Sequence, residues 1–217
     1  MATYQLKIRL LSETTFGRGD GLAGEVDQEI VHDPYGFPFL RGRTLKGVLS
    51  EECDGIVALL PANQRWNDAL LKLFGSAGSI TTTQARWQYG DATLPEPLRQ
   101  AVAVQQSNKD LTVSEVVASL TAVRQQTAID ATSGTPDEGS LRAARVLIRE
   151  LAFTSRLTTE ADAGEDELMI LAAGCRALRH IGAARTRGRG HVRCTLHNAE
   201  GAHITDAWLA RLKEATQ

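Results

Sequence analysis

Apolar and polar residues alternate through "YQLKIRLLSET", and this period of two predicts a first strand over 3–12. "FGRGDGLAGEVDQ" has no period and is rich in glycine, so it reads as a loop. "EIVHDPYGFPFLRG" reads as two short extended pieces around a turn at Asp33-Pro34-Tyr35-Gly36, because Asp before Pro starts turns and Gly36 suits a positive φ. The period then changes. Leu45, Val48, Leu49, Cys53, Ile56, Val57 and Leu60 recur at helical spacing, with Thr44 as the expected N-cap. Gly47 and Gly55 each weaken that helix by about 1 kcal/mol relative to alanine, which calls for a reason such as close backbone approach.

Further along, "WNDALLKLFG" predicts a short helix ended by Gly75, "SAGSITTTQ" a loop, "ARWQYGDATL" a strand and "PEPLRQAVAVQQ" a helix. The span 108–145 offers a helix at 113–119, an extended "AVRQQTAID" and the polar loop "ATSGTPDEGS". "ARVLIRELAFTSRLT" alternates as one strand. "EDELMILAAGCRALRHI" is a strong helix, with acids at its start, arginines at its end and Gly182 as its stop. "HVRCTLHNA" is a last strand and "ITDAWLARLKEA" a last helix. The order β-α-β, then β-α-β after inserts, is that of an α+β, ferredoxin-like (RRM-like) fold: an antiparallel sheet with helices on one face. No fixed-period repeat and no linker divides the chain. It is expected to be one domain over 1–217, with a projecting insertion at about 108–140.

Composition narrows the setting. Apolar residues make up 42% of the 217, enough for a sizeable core. Cys53, Cys175 and Cys194 are odd in number and lack CxxC spacing, which argues against a disulfide framework and a zinc knuckle and favours a reducing compartment. The five histidines show no metal-ligand spacing. "MATYQLKIRL" lacks the apolar core of a signal peptide, and no apolar run approaches the roughly 20 residues that span a bilayer. A soluble, cytoplasmic protein with no membrane partner is expected.

Charge changes the picture more. The net charge is only −2, but residues 160–167 hold Glu160, Asp162, Glu165, Asp166 and Glu167, while 168–199 hold no acid and six arginines. Segregated charge makes local fields. Within "HIGAARTRGRGHVRC", Arg185, Arg187 and Arg189 alternate among Gly182, Gly188 and Gly190, which suits a phosphate-binding surface; the plain alternative is a solvated basic loop. Arg41, Arg43 and Lys46 bracket Gly42 at a helix start, where free amides attract anions. Neither segment is a P-loop or a dinucleotide fingerprint. Two basic glycine segments together point to a polyanion.

"VDQEIVHDPYGFPFLRGRTLKGVL" resembles the N-terminal motif of the RAMP superfamily, the RNA-binding subunits of CRISPR effector complexes, through Pro38-Phe39-Leu40-Arg41-Gly42-Arg43-Thr44-Leu45-Lys46-Gly47. "LFGSAGS" followed by "GDATL", "VRQQTAIDATSGTPDEGSL" and "IGAARTRGRGHVRC" resemble three further family segments in the same order, over residues 3 to about 196. Arg43 stands where the family usually has Ser or Thr, Ala131 where Arg follows Ile-Asp, and Ala183 where a second Gly is common.

The resemblance is nearest to the backbone subunits of type III complexes of the Csm and Cmr kinds, and its implications are specific. Such subunits stack along a CRISPR RNA and cut the paired target RNA at regular intervals. Carried onto this chain, Asp27 is the catalytic residue and the ligand of a divalent cation such as magnesium. Arg41, Arg43, Lys46, Arg124, Arg185, Arg187 and Arg189 contact the RNA backbone, and Ile129 is the apolar tip of a thumb-like hairpin. The implied partners are CRISPR RNA, target RNA, further copies or related RAMP subunits, a large polymerase-like subunit and a small helical one. Asp33 reads as a turn former and Asp20 as a loop residue. Two other readings stay open: a non-catalytic or capping subunit with the same basic surface, and a stand-alone ribonuclease using His32 or His191 as a general base.

Overall fold

β1 (Ala2–Leu10) runs through the middle of a four-stranded antiparallel sheet. β5 (Ala152–Thr159) flanks it on one side and β6 (Val192–His197) on the other, and the short β2 (Trp87–Tyr89) pairs with the outer edge of β5. The sheet order β2-β5-β1-β6 is the ferredoxin-like arrangement that the element order predicts. The computed structural model describes residues 1–61, 64–76 and 84–217; the predicted loop at 76–84 falls mostly outside them.

Alternation decides the faces. Leu6, Ile8, Leu10, Phe153, Leu157, Cys194 and Leu196 point inward and are buried. α1 (Gly42–Val57), α2 (Gln64–Phe74) and α5 (Glu165–Ala177) form the helical layer, and α6 (Thr205–Ala215) packs on α5. α5 buries every residue from Glu167 to Cys175, as expected of a helix surrounded on all sides. Its buried Glu167 accepts a 2.7 Å hydrogen bond from Trp87 Nε1, which ties α5 to the edge strand. Gly174 lets α5 approach α1: a Cβ there would overlap Cys53 Sγ.

Between β2 and β5 the chain adds α3 (Glu96–Ser107), α4 (Val113–Leu120) and a hairpin of β3 (Thr121–Gln126) with β4 (Arg142–Leu147). A capping box at Thr112 and Glu115 starts α4. The insertion expected at about 108–140 falls within this stretch, which runs from Glu96 to Leu147.

Three local expectations change. α1 begins at Gly42, with Thr44 inside its first turn, because a remote carboxylate does the capping: Asp91 Oδ1 accepts from the Gly42 amide at 2.7 Å. The predicted strand at 144–158 is two strands in two sheets, broken at Arg149-Glu150, where Glu150 has a φ of 73°. The Glu150 amide bonds Leu10 O at 2.8 Å, fixing the start of β5 to the end of β1. α5 stops at Ala177, and Gly182, with a φ of 92°, serves the loop beyond it. Gly47 and Gly55 have no heavy atom near a would-be Cβ, so close approach within the chain does not explain them.

The α1–α5 contact predicts a coupled pair of substitutions. Gly174→Ala overpacks against Cys53 and lowers stability by about 1–3 kcal/mol, read from the urea midpoint. In the Cys53→Ala background, the same change costs about 1 kcal/mol less. Equal costs in both backgrounds would rule out this contact as the reason for the glycine.

Candidate nucleic-acid interface

The glycine-arginine loop leaves α5 and reaches β6 through a single 3-10 turn, Arg185–Arg187, with Ala184 and Gly188 in left-handed backbone on either side. It is seated on the segment that follows β1. Thr14 Oγ1 donates to Ile181 O at 2.6 Å, Ala183 N to Thr15 O at 3.0 Å and Gly190 N to Glu13 O at 2.8 Å. A Cβ on Gly182 would overlap Thr14 Oγ1, and one on Gly190 would overlap Ile181 O. These two glycines therefore serve the chain's own packing, and only Gly188 faces open space. The arginines between them are held outward.

That loop forms one wall of a cleft of about 630 Å³ lined by Asp27, Gln28, Gln126, Arg142, Arg187 and Arg189, among others. Asp27 and Arg187, far apart in sequence, thus share a site. The Asp27 amide donates to Ala143 O at 2.8 Å, and Asp27 Oδ2 accepts from Ala143 N at 2.7 Å. One carboxylate oxygen is bound to the start of β4, beside the last pair of the hairpin ladder, Gln126 with Arg142. Arg145 steadies the same loop from β4: its amide donates to Gln28 O, and its guanidinium bonds Glu29 at 2.9 Å and Glu25 at 3.2 Å. Glu25, Asp27 and Glu29 all turn toward β4, and Arg145 offsets the outer two. Arg187 donates to Gln126 Oε1 at 3.4 Å, whereas Arg142 and Arg189 form no ion pair among the described residues.

A second cleft of about 250 Å³ lies along the other flank of the loop and brings together Arg41, Thr44 and Arg185. Arg185 stands 3.9 Å from Glu51. Arg43 is exposed and Lys46 half-buried on α1, outside the lining of either cleft. The helix start is a weaker anion site than its sequence implies, because Asp91 already takes the Gly42 amide.

Arg124, on β3, is paired with Glu13 through a 2.9 Å bond from Nε. That hydrogen bond, with the nearby charges of Arg124, Arg189 and Arg149, holds the Glu13 carboxyl below the usual range against the opposing effect of partial burial. Ile129 is 59% exposed at the hairpin end, where it bridges to Pro136. Asp33 forms the turn: Oδ1 accepts from the Tyr35 and Phe37 amides, and Oδ2 from Arg99 at 2.7 Å. Asp20 pairs with Arg18 in its loop. His32 Nδ1 lies 2.8 Å from Asp33 O, and His191 stacks on His180.

Among the described residues, no group of three His, Cys, Asp or Glu is placed to hold a metal. Asp27 offers the oxygen that Ala143 leaves free, which fits magnesium only where RNA oxygens and water complete the shell. Glu13, Arg142, Arg145, Glu29 and Gln126 were not singled out in the sequence. Their roles depend on which strands meet, and no local spacing encodes that.

The sequence matches the RAMP superfamily over residues 7–193. No curated protein matches it in sequence. Among solved structures, the fold is similar to a chain of the type III-B Cmr-beta complex bound to cognate target RNA, at 12% identity and a TM-score of 0.66, covering 90% of this chain and 97% of that one. The apo state of Cmr-beta gives 13% identity and a TM-score of 0.64 over the same shares. A type IV-B CRISPR complex chain gives 12% identity and 0.58, covering 91% of each. With the family match spanning most of its length and the ferredoxin-like sheet in place, the chain belongs to the RAMP superfamily.

Proposed function

We propose that this chain is a CRISPR RNA-binding backbone subunit of a type III effector complex that cuts the paired target RNA through Asp27. The observation that carries the reading is the cleft in which Asp27 lies with Arg142, Arg187 and Arg189, where β3 ends and β4 begins. Its guanidinium groups suit phosphate, which positions a strand without reading its bases. The neighbouring cleft, with Arg41 and Arg185, suits a second stretch of the same backbone. Ile129 at the hairpin end suits insertion between stacked nucleotides, and further copies or related subunits would extend the path along the guide. A large polymerase-like subunit and a small helical one complete the proposed assembly.

In the cutting step, Asp27 accepts the proton of a 2′-hydroxyl on the target strand. The 2′-oxygen bonds to the adjacent phosphorus, and the bond from phosphorus to the 5′-oxygen breaks. The leaving oxygen takes a proton from water, and the hydroxide left behind takes the proton back from Asp27, so the products carry a 2′,3′-cyclic phosphate and a 5′-hydroxyl and the carboxylate is restored. Arg187 and Arg189 offset the charge that grows on the phosphate. A magnesium ion, when bound, supplies further charge neutralisation there. The bond from Ala143 N fixes the rotamer of Asp27, and Arg145 fixes the loop that carries it.

The second reading is a non-catalytic or capping subunit with the same RNA surface. It is favoured by the latch itself: Asp27 joins its loop to β4, a role that needs no chemistry. Asp27→Asn separates the two, because it keeps an oxygen for Ala143 N and removes the charge. In the complex reconstituted with guide RNA, magnesium-dependent target cleavage falls by about 10²–10⁴-fold, with target affinity nearly unchanged. Cutting at the wild-type rate contradicts the catalytic reading and leaves the non-catalytic one.

The phosphate role of the loop predicts a salt effect. Arg187→Gln and Arg189→Gln each weaken target binding by the guide-loaded complex and flatten the plot of log affinity against log salt by about 0.7 for each phosphate left without its cation. An unchanged slope in both variants would remove the loop from the RNA path.

A further inference from the structure

The helical layer covers one face of the main sheet, and the other face is open. On it, Lys7 and Arg9 of β1, Arg156 of β5 and Arg193 of β6 are all exposed. The register makes them one row. Gln5 pairs with Arg156, Lys7 with Thr154 and Thr195, and Arg9 with Arg193. Arg156, Lys7, Arg9 and Arg193 therefore follow one another diagonally across three strands. Among the described residues, Thr3, Gln5, Gln88, Ala152, Thr154, Thr158, Thr195 and the buried His197 fill the rest of the face.

The Arg9–Arg193 pair is the unusual part. Like charges directly opposite one another across an antiparallel pair are destabilising. Arg9 is offset by Glu150 at the sheet margin, but Arg193 and Lys7 form no ion pair among the described residues. The chain keeps these two like charges facing each other near one end of its open face, and only Arg9 is offset.

We infer that this face is a second RNA surface, separate from the clefts, that tracks a sugar–phosphate backbone. None of the exposed large apolar side chains among the described residues lies on β1, β5 or β6, so a protein partner would find no hydrophobic anchor. Tyr4 packs against Trp87 on the covered face, and the rings at the open face are the His197–His203 pair, of which His197 is buried, so among the described residues no exposed Phe, Tyr or Trp offers a platform there for stacking bases. What remains is a row of cations for phosphates, with hydroxyls and amides beside it that can bond the ribose 2′-OH. The inference does not depend on the cleft reading.

The test uses the full chain and a single-stranded RNA of about thirty nucleotides, with affinity followed against salt. Lys7→Gln/Arg193→Gln lowers affinity several-fold at low salt and flattens the salt slope, additively with Arg187→Gln. Arg193→Gln alone raises the unfolding midpoint as it lowers affinity. Lys213→Gln/Arg211→Gln on α6, across the helical layer, makes the same change in net charge and leaves the slope as it was. Wild-type affinity in the sheet variant overturns the inference, and so does an equal loss in the α6 control. The same sequence as DNA binds more weakly; equal binding removes the ribose contacts. Poly-glutamate displacing RNA at equal charge overturns the assignment in favour of an acidic protein. If Arg187→Gln binds as wild type while the sheet variant does not, the cleft reading fails and this one stands.

Discussion

The segment from Leu11 to Gly17, where β1 leaves the sheet, is the joint on which the rest of the structure turns. Its backbone must be satisfied on two sides at once. Toward β6, Leu11 and Ser12 donate to His191 O, Glu13 O accepts from Gly190, and Thr15 O from Ala183. Toward the hairpin, Thr14 and Leu147 exchange bonds and Thr15 Oγ1 donates to Arg145 O at 2.9 Å. Phe16 O then takes the Val31 amide, which brings in the chain beyond Asp27. One short stretch thus sets the glycine-arginine loop, the hairpin and the Asp27 loop against one another. Gly182 and Gly190 are what let the pieces come this close.

The charges are arranged around that joint. Carboxylates that belong to the fold are given partners: Glu29 and Glu25 on Arg145, Glu13 on Arg124, Asp33 on Arg99, Asp91 on the start of α1. Guanidinium groups that line the Asp27 cleft are left with few. An exposed pair contributes little to stability, so the difference matters less for folding than for what the surface can bind. Asp27 stands between the two sets, with one oxygen in the fold and one in the cleft.

The sheet order was legible because strands and helices carry different periods, and α5 is too apolar to be anything but central. The split between β4 and β5 was not. "ARVLIRELAFTSRLT" alternates without a glycine or proline to mark the break, and Glu150 takes a left-handed backbone that its type does not announce. Thr44 looked like a cap because it precedes the apolar run, but the cap comes from Asp91, well outside any local window. In the candidate site, the basic character of the loop was readable from composition. The role given to Asp27 rested on the family resemblance, and its place beside the loop was not legible, since no spacing links residue 27 to residue 187. Arg145 and the facing of Arg9 on Arg193 are matters of register, which a single sequence does not reveal.

The central claim is that the Asp27 cleft is where a target strand lies, beside a guide held by the glycine-arginine loop. The most direct measurement is a cryo-EM map of the reconstituted complex, with guide RNA and a target carrying a 2′-deoxy nucleotide at each cut site. The account predicts the Asp27 carboxylate within about 4 Å of the deoxy C2′ position, with Arg187 or Arg189 on the adjacent phosphate. A target strand that crosses the subunit elsewhere, with the cleft facing solvent or another subunit, would contradict it.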